Sequence, residues 1–128
     1  MTQSRLHRLG DLQLGIMQIL WARGEATVAE VHKDLAGGRE LAYTTVATML
    51  RKMEARGLVG HRSEARSFVY RARVAEDAVS RGMADHLLDR LFEGSLAEMV
   101  AHLLSTREVS REELSKLERL IAERKRPR

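Results

Sequence analysis

The fold is decided by one stretch, YTTVATMLRKMEARGLVGHRSEARSFVYR, residues 43–71. Its first half places apolar residues at helical spacing, at Val46, Met49, Leu50 and Met53. Gly57 then supplies a residue that tolerates the left-handed conformation at a helix end. After it the period changes, and residues 58–62 and 67–71 predict two short strands around a charged turn, residues 63–66. The stretch therefore predicts a helix followed by a β-hairpin.

Two further helices are predicted upstream of this stretch. The first begins near Asp11, which we expect to be its N-cap, and ends at Gly24. The second follows a T-x-x-E capping box formed by Thr27 and Glu30 and stops at the glycine pair 37–38. Helix, helix, helix and hairpin is the element order of a winged helix-turn-helix.

Downstream of the hairpin the apolar residues return to helical spacing and predict three short amphipathic helices. Two of these helices begin at capping boxes, Ser95 with Glu98 and Ser110 with Glu113. The expected fold class is mainly α with a small β-hairpin wing. It combines a winged helix-turn-helix domain, residues 1–74, with a helical dimerisation domain, residues 75–128, that ends in a frayed basic tail.

The three C-terminal helices carry more apolar surface than so short a segment can bury. Below about 70 residues a single core seldom gives a stable domain without disulfides, a metal or a partner, and the chain has no Cys to form disulfides. A second copy could cover all three apolar stripes across a two-fold axis, so we expect a homodimer. The alternative is a monomer folded back on its own wing domain. The expected dimerisation residues are Leu87, Leu88, Leu91, Leu96, Met99, Val100, Leu103, Leu104, Leu117 and Leu120.

Charge is distributed unevenly along the chain. Residues 1–74 hold twelve Lys and Arg against seven Asp and Glu, whereas residues 75–128 hold ten against eleven. A basic N-terminal half beside a near-neutral C-terminal half indicates a module that binds a polyanion. No apolar run resembles a signal peptide or a membrane span, and the chain is expected in the cytoplasm, away from membranes.

The predicted third helix offers the side chains that a helix in a DNA major groove needs. Threonine brings a hydroxyl for phosphates or bases and a methyl for thymine, and Arg and Lys can contact phosphate or guanine. The alternative is that the threonines only cap and decorate the helix and that the tyrosine packs. Arginines before the first helix, Arg5 and Arg8, could add phosphate contacts. The expected DNA-binding residues are Tyr43, Thr44, Thr45, Thr48, Arg51 and Lys52 on the helix, with Arg62 and Arg66 on the wing.

Other classes of function find less support. The chain shows no Gly-rich phosphate loop, no Ser/His/Asp set and no paired-carboxylate pocket, so we expect no enzyme and no cofactor. Its five His lack metal-ligand spacing, so no metal site is expected. Two alternatives stay open: a winged-helix regulator that senses a metal or small ligand directly, and a protein–protein adaptor without DNA.

A resemblance to a known family is carried by the run RELAYTTVATMLRKMEARGLV, residues 39–59. The run closely resembles the penicillinase repressors of the BlaI/MecI type and their copper-responsive relatives. The resemblance extends over residues 9–35, 68–74, 87–95 and 109–114 and so over nearly the whole chain. It implies a homodimeric repressor with an N-terminal winged helix that binds pseudo-palindromic promoter operators containing TACA/TGTA-like elements. It also implies operator contacts by the eight residues named above.

The chain departs from the family pattern in two places. Well-known members are released from DNA when a signalling metalloprotease system triggers cleavage of an Asn-Phe bond in the dimerisation domain. Aligned on Val109-Ser110, that place holds His102-Leu103 here, which is the expected cleavage site if release follows this route. The copper-responsive relatives use C-terminal Cys pairs, which this chain lacks, so copper sensing by that route is not expected.

Overall fold

The computed structural model describes residues 9–35 and 40–127. The predicted fold class, mainly helical with a small winged sheet, is confirmed. Arg5, Arg8 and the glycine pair 37–38 lie outside the described residues. The helices are α1 Asp11–Arg23, α2 Val28–Leu35, α3 Tyr43–Ala55, α4 Glu76–Phe92, α5 Leu96–Thr106 and α6 Arg111–Lys125. The strands are β1 Ala26–Thr27, β2 Val59–Glu64 and β3 Ser67–Ala72.

The three strands form one antiparallel sheet in the order β1-β3-β2. β1 pairs Ala26 with Tyr70 and Thr27 with Val69. The sequence did not predict β1, because two residues are too few to show an alternating pattern and Thr27 is also the cap of the next helix. The short strand ties the start of α2 to the wing.

The wing is tighter than predicted. Glu64 pairs with Ser67, so only Ala65 and Arg66 form the turn, and the predicted four-residue turn over 63–66 is wrong in its first two residues. The polar residues Ser63 and Glu64 belong to a strand because a solvated strand end can carry polar side chains. Ala65 has φ 55°, the left-handed region that a two-residue hairpin turn demands of its first residue.

One hydrophobic core holds the wing domain together. Tyr70 brings the largest fully buried side chain, and burial raises the pKa of its phenol. The first residues of α4 also join this core, since Val79 is buried and Met83 packs against it. Fully buried residues on α1 and α3 anchor both helices in this core: Ile16, Met17 and Leu20 on α1, and Val46, Leu50 and Met53 on α3.

Most helix ends follow the predicted chemistry, and one does not. Asp11 was predicted as the cap of α1, but the N-cap is Gly10, whose backbone N–H donates to Gln13 Oε1 at 3.3 Å. Asp11 is instead the first helical residue, where its charge favours the positive end of the helix dipole. Ser95 and Ser110 cap α5 and α6 as predicted, each accepting the backbone N–H three residues on at 3.1 Å.

The end of α3 determines how the chain enters the wing. Gly57 has φ 80°, as predicted for a left-handed helix end. Its N–H donates to the carbonyl of Glu54 at 2.9 Å, and the N–H of Leu58 donates to the carbonyl of Met53 at 3.0 Å. These two bonds form a Schellman motif, which turns the chain sharply away from the helix axis. β2 therefore starts two residues after the motif's glycine.

The chain divides into two compact units, Met1–His86 and Leu87–Arg128. The boundary predicted after residue 74 separates a DNA-binding domain from a dimerisation domain. It is defined by function and not by compactness, and it stays a prediction. In the second unit α6 continues through Arg124 and Lys125, two residues of the tail that was expected to fray. Within residues 9–35 and 40–127, no helix combines the length and the apolar character that crossing a membrane requires.

The capping box at the start of α2 predicts a dependence of stability on pH. The Thr27 N–H donates to Glu30 Oε1 at 2.9 Å, and the Thr27 hydroxyl accepts from the Glu30 N–H at 3.1 Å. The backbone hydrogen bond from Thr27 holds the pKa of Glu30 below its ordinary value. A carboxyl with a lowered folded-state pKa stabilises the fold above its unfolded pKa, and the contribution disappears as pH falls through the folded pKa.

We therefore expect Glu30→Gln to melt below the wild type at pH 7, with the difference closing once pH has fallen through the lowered pKa of Glu30. Thermal melts followed by circular dichroism at pH 7 and at one acid pH measure it. Glu40 is exposed and has no ion pair among residues 9–35 and 40–127, so Glu40→Gln is the matched control and should leave both melts unchanged. An equal deficit of the Glu30 variant at both pH values would contradict the argument.

Candidate nucleic-acid interface

Helix α3 presents polar side chains on one side and buries the other. Tyr43, Thr44 and Thr45 are exposed at its first turn, and Arg51 and Lys52 are exposed two turns later. Thr48 is half-buried between them. The opposite side is held in the core through its three fully buried residues, so the helix cannot turn without disrupting the core. All six predicted contact residues of α3 thus stay on or beside its outer surface.

The cations of α3 have no anionic partner in the described part of the chain. Arg51 donates to the hydroxyl of Thr48 at 3.2 Å, a neutral partner that leaves its positive charge available. Tyr43 is half exposed, and the edge of its ring meets His32 at a centroid distance of 6.0 Å. His32 in turn bonds the carbonyl of Leu41 at 2.7 Å. Tyr43 is therefore positioned by packing while its ring stays accessible.

The two predicted wing arginines have different surroundings. Arg66 is exposed in the turn and has no carboxylate partner within the ranges that the structure describes. Arg62 bonds Glu25 at 2.7 Å and also bonds Glu64, and the hydrogen bond to Glu25 raises the pKa of its guanidinium. Two carboxylates on one guanidinium leave a local excess of negative charge, so the structure does not bring Arg62 into the set of available cations.

The strand pattern explains this difference. Successive side chains of a strand point to opposite faces, so Arg62 lies on the other face of β2 from His61. His61 faces α3, since its Nδ1 lies 2.7 Å from Glu54 Oε1 on that helix. Arg62 lies opposite Val69, on the face away from the one that carries Tyr70. Its role in DNA binding stays a prediction, and the ion pairs give it a structural role in tying the wing to Glu25.

A concave groove lies between α3, the start of α2 and the wing. Its volume is about 240 Å³. Phe68, which was not among the residues predicted to contact DNA, is 48% exposed there. The available signal was its spacing, because alternation puts Phe68 and Tyr70 on the same face of β3, toward α3. The groove is lined by Thr27, Val28, Ala29, Tyr43, Ala47, Arg51, Arg66, Ser67, Phe68 and Tyr70.

The predicted dimerisation residues form an uncovered apolar surface in the single chain. Helices α5 and α6 bury no residue at all. Six of the ten residues are exposed, with Leu91, Leu96 and Leu120 each above 60%. Leu88, Met99, Val100 and Leu117 are half-buried. A groove of about 140 Å³ between α5 and α6 is lined mainly by Val100, Leu103, Leu104, Val109 and Leu117.

The predicted cleavage site lies inside a regular helix. His102 and Leu103 are exposed residues near the middle of α5. The carbonyl oxygen of His102 accepts hydrogen bonds from the hydroxyls of Ser105 at 3.0 Å and Thr106 at 2.8 Å. The His102 ring also packs on Phe92 at a centroid distance of 5.6 Å. The peptide bond is therefore at the surface but is held by its own helix.

No group of three or more His, Cys, Asp or Glu side chains within residues 9–35 and 40–127 could hold a metal ion. The neighbouring acidic and basic side chains of α1 and α2 form ion pairs with each other. Arg23 bonds Asp34 at 2.8 Å and Glu30 at 3.2 Å, and these bonds join the end of α1 to α2. The hydrogen bond from Arg23 lowers the pKa of Asp34. This cluster has a structural function, because each of its charges already has a partner.

Comparisons with known proteins agree with this arrangement. The family model described as penicillinase repressor matches residues 9–123. The penicillinase repressor of Bacillus licheniformis is 27% identical over 94% of this chain and 94% of its own length. The transcriptional regulator BlaI of Mycobacterium tuberculosis (strain CDC 1551 / Oshkosh) is 35% identical over 94% of this chain and 87% of its own length.

A solved structure supports the same assignment for the N-terminal part. The solution structure of the DNA-binding domain of the repressor BlaI superposes with a TM-score of 0.51 at 27% identity. It covers 57% of this chain and 89% of that domain. The match to the family model over most of the chain confirms the resemblance found in the sequence. The chain belongs to the penicillinase repressor family.

Proposed function

We propose that the protein is a transcriptional repressor that binds promoter operators as a homodimer, with α3 of each copy in a major groove. The observation that carries the proposal is the outer surface of α3. Exposed hydroxyls at its first turn and unpaired cations two turns later lie on a helix whose other side is fully buried. Helices that read DNA contact bases from their N-terminal residues, which is where the threonines lie. Family membership supports the same function.

Substitution of Thr45 tests whether α3 recognises the base sequence of the operator. It is exposed in the first turn of α3, so its methyl and hydroxyl can face base edges. We expect Thr45→Ala to lower the ratio of operator to random-DNA affinity about tenfold while random-DNA affinity stays nearly unchanged. Arg66→Ala is the matched comparison, because the loss of a phosphate contact should weaken the affinities for operator and random DNA alike.

The measurement uses fluorescence anisotropy with two duplexes, one from the footprinted upstream region of the gene and one of random sequence. Equal losses of Thr45→Ala on both duplexes would show that Thr45 does not read bases. Equal affinity of the wild type for both duplexes at moderate salt would contradict the operator proposal itself.

The uncovered apolar surface of α5 and α6 supports the homodimer. No residue of these two helices is fully buried in the single chain, so they gain stability when a second copy covers their leucines. Two copies would place two α3 helices in successive major grooves, about 34 Å apart along one face of the duplex. A protein bound in this way blocks polymerase at the promoter, and anything that separates the copies halves the DNA contacts.

Release by cleavage at His102-Leu103, through a signalling metalloprotease, requires an additional step in this chain. A protease binds an extended segment, whereas this bond lies within α5 and its carbonyl is held by two hydroxyls. Cleavage would therefore act on molecules in which α5 has opened locally. Incubation of the purified protein with the membrane fraction of induced cells, followed by mass spectrometry of fragments, tests the site.

The alternatives fit the surface less well. An adaptor without DNA would present an acidic or apolar surface in place of the cations and hydroxyls of α3. The proposed activity is binding and not catalysis, and the proposed partner is double-stranded DNA. The location that we propose is accordingly the cytoplasm. No cofactor is part of the proposal.

A further inference from the structure

The groove between α3 and the wing is too small for a typical small-molecule ligand. Its volume of about 240 Å³ equals that of roughly eight waters, below the range of about 300–1,000 Å³ of small-molecule pockets. Its wall on α3 is formed by Tyr43, Ala47 and Arg51, which follow one another at one-turn spacing. A groove of this size can hold one small group of a larger partner.

The side chains of the groove combine two available cations with an aromatic surface. Arg51 and Arg66 line it from opposite elements, α3 and the wing, and the described residues offer neither of them a carboxylate. Phe68 and Tyr43 are both about half exposed in the same groove. One exposed aromatic residue needs no explanation by itself. An exposed aromatic ring in a groove that two unpaired guanidinium groups also line matches an anion that carries an apolar ring-shaped neighbour.

The Phe68 ring packs on a histidine that is itself anchored to α3. Its centroid lies 4.3 Å from that of His61, with an angle of 33° between the rings. His61 is in turn fixed to α3 by its contact with Glu54 at 2.7 Å. The ring is therefore supported on one side by residues anchored to α3, and its other side is open to the groove. A supported ring loses little conformational freedom when a partner covers it.

We infer that the groove seats one nucleotide of the DNA backbone, with the phosphate between Arg51 and Arg66 and the deoxyribose against Phe68. The inference rests on the proposed function and adds to it an apolar contact between Phe68 and the DNA backbone. A phosphate and a sugar repeat at every nucleotide, so this contact is independent of base sequence. It would fix the position of α3 in the groove of the duplex without reading bases.

Because the contact is independent of sequence, its test uses a fluorescein-labelled random-sequence duplex and the full-length protein. We expect Phe68→Ala to lower affinity about tenfold with an unchanged slope of log affinity against log salt, since no charge is lost. Phe68→Leu should keep part of the affinity. Arg66→Ala should reduce the slope by about 0.9, the value for one phosphate contact.

Arg71 supplies the matched control. It is exposed on β3, but by alternation it lies on the opposite face from Phe68, so Arg71→Ala should change the slope less than Arg66→Ala. Thermal melts verify that each variant is folded. If Phe68→Ala destabilises the wing, operator duplexes carrying single methylphosphonates replace it, because the operator fixes which phosphate meets the groove. The position that weakens the wild type should then have no effect on Arg66→Ala.

The outcomes separate the inference from the proposed function. A wild type that binds no duplex overturns the proposed function. A wild type that binds, with a folded Phe68→Ala variant of equal affinity, overturns the backbone contact alone. Equal slope losses for Arg66→Ala and Arg71→Ala would also overturn it, because the phosphate would then not be localised to the groove.

Discussion

Leu103→Asp is expected to convert the protein to a monomer and to reduce operator affinity by about 100-fold or more. Leu103 lines the apolar groove of α5 and α6 together with Leu104 and Leu117. A carboxylate there would lose its hydration when a second copy covers the groove, which is costly even though Arg107 also lines the groove. Two linked DNA-binding domains gain about 10²–10⁴ in affinity over one, and the monomer loses that gain. The wing domain has its own core and should stay folded.

Sedimentation equilibrium at micromolar concentration measures the association, and anisotropy with an operator duplex measures the affinity. Ser105→Asp is the matched control, because it adds the same charge to an exposed position of α5 outside the predicted apolar stripe. We expect that variant to remain a dimer. A Leu103→Asp protein that sediments like the wild type would show that another surface joins the copies.

The second large effect is expected from the core beneath α3. Leu50 is fully buried, so Leu50→Ala should leave a cavity and lower the free energy of unfolding by about 2–5 kcal/mol. DNA affinity should fall as well, because the same side chain holds the outer surface of α3 in position. Chemical denaturation followed by circular dichroism measures the first effect and anisotropy the second.

Lys52→Ala separates the two effects on the same helix. Lys52 is exposed, so its removal should change the free energy of unfolding by no more than about 0.5 kcal/mol while it weakens DNA binding. A Leu50→Ala variant that unfolds with the wild type's free energy would mean that α3 is held by other contacts.

Features set by local chemistry were predictable from the sequence. The period of apolar residues located α3, Gly57 marked its end, and the Thr27–Glu30 pair marked the start of α2. Each depends on residues no more than a few positions apart. The exposed hydroxyls and cations of α3 followed from the same periodicity, because the buried side of a helix determines its exposed side.

Features set by distant pairs were not predictable. Glu25 and Arg62 are 37 positions apart, and only the folded sheet brings them together. The position of Phe68 beside Arg51 likewise depends on the hairpin folding over α3, which periodicity does not describe. The N-cap at Gly10 was not predicted, because glycine has no side chain that could mark it as a cap. The hydrogen bond at this helix end is made instead by the Gly10 backbone N–H, which donates to the side chain of Gln13 inside the helix.

The wing turn contains only Ala65 and Arg66, and that brevity has a mechanical consequence. With no spare residue, the hairpin cannot slide, and an insertion of one residue would shift β3 against β2. Such a shift would point Phe68 to solvent and bring Val69 toward α3. The reach of the wing is thus fixed by the register of its two strands.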